Sequence, residues 1–177
     1  MSNSHASRRL GAFALAGAAL AGVTALASPA VADTTVRISV ENSGLALSVQ
    51  DDSLAPGARI EVRPYSGLFR QQWIMKQVAS SGTKITFVYS RKVAPNLCLA
   101  VEGNASFSGT RLVQQSCSAS NPFQQWERDF SVNATFLEMK NKGSGLLTTA
   151  DGTFNGAPVT QRFDVSARNQ RWSVLGA

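Results

Sequence analysis

The chain holds one histidine, His5, and two cysteines, Cys98 and Cys117, among 177 residues. His5 lies in an N-terminal segment that reads as removed on export, which leaves no imidazole for a Ser-His-Asp triad, a Cys-His pair or the usual zinc site. Acid–base work would then fall to carboxylates. Asp51-Asp52 are adjacent in a turn-rich stretch and point apart, while Glu127 and Asp129 share one face of a strand, the pattern of a solvated edge. A glycosidase needs two acids facing across a cleft at a set separation, and neither pair offers that. No phosphate loop, Gly-x-Ser-x-Gly elbow or metal-ligand spacing occurs. The expectation is a non-catalytic protein with no cofactor and no metal, whose informative residues are those that bind.

The segment carrying His5 is residues 1–32. Arg8 and Arg9 supply a positive start, Leu10 to Ala27 is a small and apolar run with Thr24, and Ala30-Val31-Ala32 after Pro29 is an A-x-A cleavage site. The run is mostly Ala and Gly, which partition weakly into lipid, so a signal peptide fits better than a membrane anchor. Ser7-Arg8-Arg9 leaves both the general secretory and the twin-arginine routes open. The expected mature domain, residues 33–177, is secreted, free of the membrane after cleavage, and monomeric. Its 17 basic residues less Arg8 and Arg9, against 11 acidic, give a net charge of +4. The basic residues are scattered, so the charge serves solubility. With neither a basic stripe nor interleaved aromatics, nucleic acid is not an expected partner. A chain of this length buries roughly 68–70% of its unfolded surface, enough for one independent core.

The mature chain repeats itself three times. All three tryptophans fall in Gln-x-Trp: Gln71-Gln72-Trp73, Gln124-Gln125-Trp126 and Gln170-Arg171-Trp172, spaced 53 and 46 residues apart. Upstream of each lies a second block: Leu45-Ala46-Leu47-Ser48-Val49, Leu97-Cys98-Leu99-Ala100-Val101 and Gly145-Leu146-Leu147-Thr148-Thr149. A glycine follows each block, at Gly57, Gly109 and Gly156. The repeats run over approximately 35–78, 84–130 and 134–177.

Each repeat reads as strands and turns with no helical period. Residues 36–40, 85–89 and 135–139 are first strands, and the blocks above are second strands. Residues 60–62, 112–113 and 159–160 fall in third strands, and the Gln-x-Trp segments open the fourth. About twelve strands in three pseudo-symmetric repeats make an all-β chain, expected to close into a barrel capped by hairpins, since closure hides sheet edges. Gln and Trp, two apart, face inward together. The indole fills the volume between repeats, and the amide satisfies turn backbone groups. Gln71, Trp73, Gln124, Trp126, Gln170 and Trp172 are therefore fold residues rather than ligand contacts.

Three Gln-x-Trp repeats, each with an upstream Leu-Cys-Leu-like block and a glycine turn, resemble the ricin B-chain type of β-trefoil lectin over about residues 35–175. The resemblance implies a β-trefoil, a carbohydrate-binding role, and a disulfide between Cys98 and Cys117 inside the second repeat. An exported chain with two cysteines agrees with that pairing. Sugar sites of this family set a carboxylate after the second-strand Leu, an aromatic near the third strand, and an Asn before Gln-x-Trp. The two carboxylate oxygens match a vicinal diol. At the carboxylate position the three repeats carry Ser48, Ala100 and Thr148. At the stacking position they carry Arg63, Gln115 and Arg162, and at the amide position Arg70, Phe123 and Asn169.

Degenerate sites follow, with the third repeat the best candidate through Thr148, Asp151, Arg162 and Asn169. Asp151, three residues past Thr148, would stand in for the carboxylate. Glu102, Asn104 and Gln115 form a weaker cluster in the second repeat. All of these also read as loop polarity, and Asp151-Gly152 is a good turn pair by itself. Phe107 and Phe154, two residues before Gly109 and Gly156, with Leu54 ahead of Gly57, either offer exposed platforms or fold inward to close the barrel end. Their repetition favours closure. The expected function is a secreted lectin-like protein that binds a glycan or polysaccharide. The alternative is a protein-binding trefoil, such as a protease inhibitor or toxin-associated subunit, with a secreted protein partner.

Overall fold

Alternation of side chains sets the wall of the structure. In β1 (Thr34–Val40) Val36, Ile38 and Val40 are buried while Arg37 and Ser39 are turned outward. The computed structural model describes residues 33–132 and 134–177, so the segment read as a signal peptide, 1–32, lies outside the described residues.

The second and third strands of each repeat pair as hairpins: β2 (Leu45–Val49) with β3 (Ile60–Pro64), β6 (Leu97–Val101) with β7 (Leu112–Ser116), and β11 (Leu147–Ala150) with β12 (Ala157–Arg162). The remaining strands are β4 (Trp73–Ser81), β5 (Lys84–Arg91), β8 (Trp126–Asp129), β9 (Leu137–Glu138), β10 (Lys140–Asn141) and β13 (Arg171–Gly176). They close a ring with β1: β1–β4–β5–β8–β10, then β9–β13–β1, all antiparallel. This is the β-trefoil expected from the repeats, with thirteen strands among the described residues because the first strand of the third repeat is split at Met139. Thr135 and Phe136, read as strand from the sequence, are bends.

Trp73, Trp126 and Trp172 are each 0% exposed, inside a core with Ile38, Leu47, Leu99 and Met139. Each indole N–H donates to a second-strand carbonyl of its own repeat: Leu47 at 3.2 Å, Leu99 at 3.3 Å and Thr148 at 2.9 Å. The hairpins lock to one another in a cycle. The glycine N–H of each loop donates to the third strand of the next repeat: Gly57 to Gln114, Gly109 to Gln161 and Gly156 to Val62, at 2.7, 2.7 and 2.8 Å. Their φ values of +86°, +90° and +84° explain why glycine recurs there, since a Cβ strains that conformation.

These bonds correct the register of the third repeat. Gly145, at φ +73°, is a turn residue equivalent to Gly44, at φ +68°. Ser43 and Ser144 both accept from the N–H two residues on, at Leu45 and Leu146. Thr148 therefore stands where Leu47 and Leu99 stand. The position of Ser48 and Ala100 is taken by Thr149, not Thr148.

Two charged or ionisable groups are sealed between the repeats. Arg91 is 0% exposed and donates to Gln114 Oε1 (2.8 Å), the Ser53 carbonyl (3.1 Å) and Asp52 Oδ1 (3.0 Å). Desolvation lowers its pKa, against the pull of Asp52. Tyr89 is also fully buried, and desolvation pushes its phenol up to about 12, opposed by Arg128. The unfolded chain loses this proton near 10.0 while the fold keeps it. Between those values the unfolded state holds fewer protons, so stability falls as pH rises. Urea midpoints should decline from pH 10 to 12, and less steeply in Tyr89→Phe. Equal slopes would contradict the burial of the phenol.

Candidate functional site

The turn before each Gln-x-Trp strand is built alike. Gln71, Gln124 and Gln170 are buried, and each closes a 3₁₀ turn rather than opening a strand as the sequence suggested. Their side-chain carbonyls accept from the N–H of Ser66, Ser118 and Val165, at 2.8, 2.8 and 2.9 Å. Their amides donate to the carbonyls of Pro64, Ser116 and Phe163, at 2.8, 2.9 and 2.7 Å. One side chain thus holds a loop that would otherwise leave buried backbone unpaired. That loop carries the residue before each Gln: Arg70, Phe123 or Asn169.

In the third repeat three of the four expected residues meet. Asp151 follows β11, and its Oδ1 accepts from Arg162 Nε at 2.7 Å and from Thr160 Oγ1 at 2.9 Å. Oδ2 has no hydrogen-bond partner among the described residues. That hydrogen bond raises the pKa of Arg162, so its guanidinium stays a fixed cation with 47% of the side chain exposed. Asn169 reaches the same corner. Its Nδ2 donates to the carbonyl of Ala150 at 2.8 Å, and its Oδ1 has no hydrogen-bond partner among the described residues. A carboxylate and a guanidinium are thus paired at the end of β11, and an amide is tied to the residue before that carboxylate. This set can accept from and donate to adjacent hydroxyls.

Thr148 is not part of it. It is 0% exposed and its Oγ1 lies buried without a partner among the described residues, because its register position points into the core. Thr149, at the family's carboxylate position, is also buried, and its hydroxyl accepts from Gln170 Nε2 at 3.2 Å.

One aromatic that the sequence reading did not assign to the site lies beside it, Phe154, and a second, Phe163, is exposed next in sequence to Arg162. Phe163 follows Arg162 and is 68% exposed; Phe154 is 61% exposed. The Phe154 ring lies over Gly152, where a Cβ would come within 2.5 Å of it. The Asp151-Gly152 pair thus positions a ring as well as making a turn. Exposure also overturns the inward reading of the loop aromatics. Phe107 is 78% and Leu54 61% exposed, so the barrel end is closed without them.

The other repeats hold weaker versions. In the first, Glu61 pairs with Arg63, and Glu61 is 5% exposed, so its charge is spent on that partner. In the second, Glu102 and Asn104 lie in the turn after β6, and Gln115 lies on β7 opposite Cys98. Asn104 Oδ1 accepts from Asn121 Nδ2 at 3.0 Å. Glu102 and Gln115 make no side-chain hydrogen bond to each other, although Asp151 and Arg162 at the equivalent positions do. Cys98 and Cys117 form the expected disulfide. Among the described residues no group of three or more His, Cys, Asp or Glu could hold a metal ion.

Against known proteins, a family model described as the ricin-type beta-trefoil lectin domain matches residues 34–172. No curated protein matches the sequence. Among solved structures the chain is similar to ThreeFoil, a designed 3-fold symmetric protein, at 24% identity and a TM-score of 0.72, covering 81% of this chain and 99% of that one. It is also similar to the Rhizoctonia solani agglutinin, at 14% identity and a TM-score of 0.67, covering 85% and 100%. The C-half of the earthworm R-type lectin, in complex with GalNAc, is similar at 16% identity and a TM-score of 0.57, covering 81% and 99%.

Proposed function

The chain belongs to the ricin-type beta-trefoil lectin family, and from that premise we propose that it is a non-catalytic carbohydrate-binding protein acting outside the cell through one site, in its third repeat. The observation that carries this reading is the Asp151–Arg162 pair, with Asn169 tied to the neighbouring Ala150 carbonyl and the exposed Phe154 ring over Gly152. A sugar ring presents hydroxyls at its edge and C–H groups on its face. The polar trio matches the first and Phe154 or Phe163 the second. Because Asp151 is already tied to Arg162 and Thr160, its free oxygen is held in place, and little ordering cost remains on binding.

The test is a broad glycan array and a panel of insoluble polysaccharides, probed with the wild-type chain and with Asp151→Ala and Asn169→Ala. Each variant should lose at least about tenfold in affinity for the glycans the wild type retains, or roughly 1.4 kcal/mol. Glycan binding that survives both substitutions, or its absence throughout, would refute the third-repeat site.

One observation favours a second reading. Leu54, Phe107 and Phe154 are exposed on the three hairpin loops, an apolar set that suits a protein partner. On that reading the chain is silent on every glycan and instead forms a stoichiometric complex with a secreted protein.

A further inference from the structure

The outer wall of the barrel carries three grooves related by the pseudo-symmetry, and they differ in chemistry. Each lies where the first strand of a repeat meets a Gln-x-Trp strand. Trp172 stands opposite Val40, Trp73 opposite Arg91 and Trp126 opposite Asn141. Counting back three residues makes Arg37, Val88 and Glu138 equivalent. The groove around Val88 is largely apolar and runs along the disulfide. The groove around Glu138 mixes acids and bases. The groove around Arg37 holds a cation, and among the described residues no carboxylate lines it.

That third groove, of ≈ 260 Å³, is lined by Arg37, Ser39, Asn42, Tyr65, Phe136 and Ser173, among others. The Arg37 guanidinium lies over the Tyr65 ring, 4.7 Å from its centre, and makes no ion pair among the described residues. Of the acids that flank β1, Asp33 and Glu41, neither lines the groove, and Glu41 is taken by Arg171 at 2.6 Å. Barrel formation does not require arginine here, since Val88 and Glu138 fill the same place in the other repeats. A guanidinium stacked on an aromatic ring is pre-oriented, and its planar fork fits a carboxylate. Around it stand two serine hydroxyls, an amide at Asn42 and a second ring at Phe136. The volume is just below the roughly 300–1,000 Å³ of drug-sized pockets and suits a single ring.

We propose that this groove between β1 and β13 is a second glycan site that takes a carboxylate-bearing sugar, a uronic acid residue, with Arg37 on the carboxylate and Tyr65 or Phe136 against the ring. The inference extends the carbohydrate-binding reading but uses none of its residues.

The test titrates the ¹⁵N-labelled chain with a galacturonic acid trimer, with a neutral galactose trimer and with sodium acetate, following backbone amide shifts. The acidic trimer should move Arg37, Ser39 and Tyr65, and acetate at the same concentration should not. Arg37→Val, the residue of the equivalent position, and Arg37→Gln, of similar length, should each weaken the acidic trimer tenfold or more. Any neutral-sugar shifts around Asp151 should be unchanged in both. Absence of shifts at the groove, equal shifts with acetate, or unaltered affinity in both variants would overturn the proposal. If neutral sugar binds at Asp151 while the acidic trimer leaves the groove unmoved, this inference fails alone. If the acidic trimer binds at Arg37 and nothing binds at Asp151, the third-repeat reading fails and this one stands.

Discussion

Replacing Trp126 with alanine should lower the free energy of unfolding by about 3–5 kcal/mol, the usual cost of truncating a fully buried indole. Trp126 is 0% exposed, and its strand partners are Phe87 on one side and Asn141 on the other. Truncation removes its packing against the core and strands the Leu99 carbonyl that now accepts the indole N–H. The wall and cap around it are held by other strands, so the cavity would collapse only in part. Domains of this class are stable by about 5–15 kcal/mol, so the loss is a large share of the total. Urea unfolding followed by the fluorescence of Trp73 and Trp172 reads it directly. A loss below about 1 kcal/mol would mean that the indole is not a structural wedge.

The second large effect belongs to the disulfide. Cys98 and Cys117, separated by 19 positions in the sequence, close a loop with their Cα atoms 5.0 Å apart. Removing the bridge in the Cys98→Ala, Cys117→Ala pair frees that loop in the unfolded chain and should cost about 3 kcal/mol. The fold should survive. Ala46 and Leu147 occupy the place of Cys98 in the first and third repeats, and Gln71 and Gln170 hold those loops unaided. A reductant should lower the urea midpoint of the wild type by the same amount and leave the variant unmoved. Glycan binding at the third repeat should be untouched, because the bridge lies in the second. An unchanged wild-type midpoint under full reduction would contradict the account.

The barrel was legible because three indoles on a regular grid can do only one thing in an all-β chain of this size. The identical amide contacts of Gln71, Gln124 and Gln170 bear that out. The register of the third repeat was not legible. Thr148 and Thr149 are the same residue type, and Gly145 sits where a strand residue was expected. The turn geometry at Gly44 and Gly145 and bonds to distant partners, such as Gly109 to Gln161, reveal the one-residue shift. Asp151, Arg162 and Asn169 were found through the family pattern, yet their joint geometry depends on the pairing of β11 with β12. The exposure of Phe107 and Phe154 was misread because repetition alone does not say which way a loop side chain turns. Arg37 and Tyr65 gave no sequence signal as a pair. They lie 28 positions apart, and only the fold sets one over the other.

The most direct test of the central claim is a backbone amide shift map of the ¹⁵N-labelled chain, titrated to saturation with the neutral glycan that binds it best on the array. The account predicts that the largest shifts fall on Asp151, Phe154, Arg162, Phe163 and Asn169, with Glu61, Arg63 and Gln115 unmoved. Largest shifts on the first- or second-repeat positions, or an unchanged spectrum at saturating glycan, would contradict it.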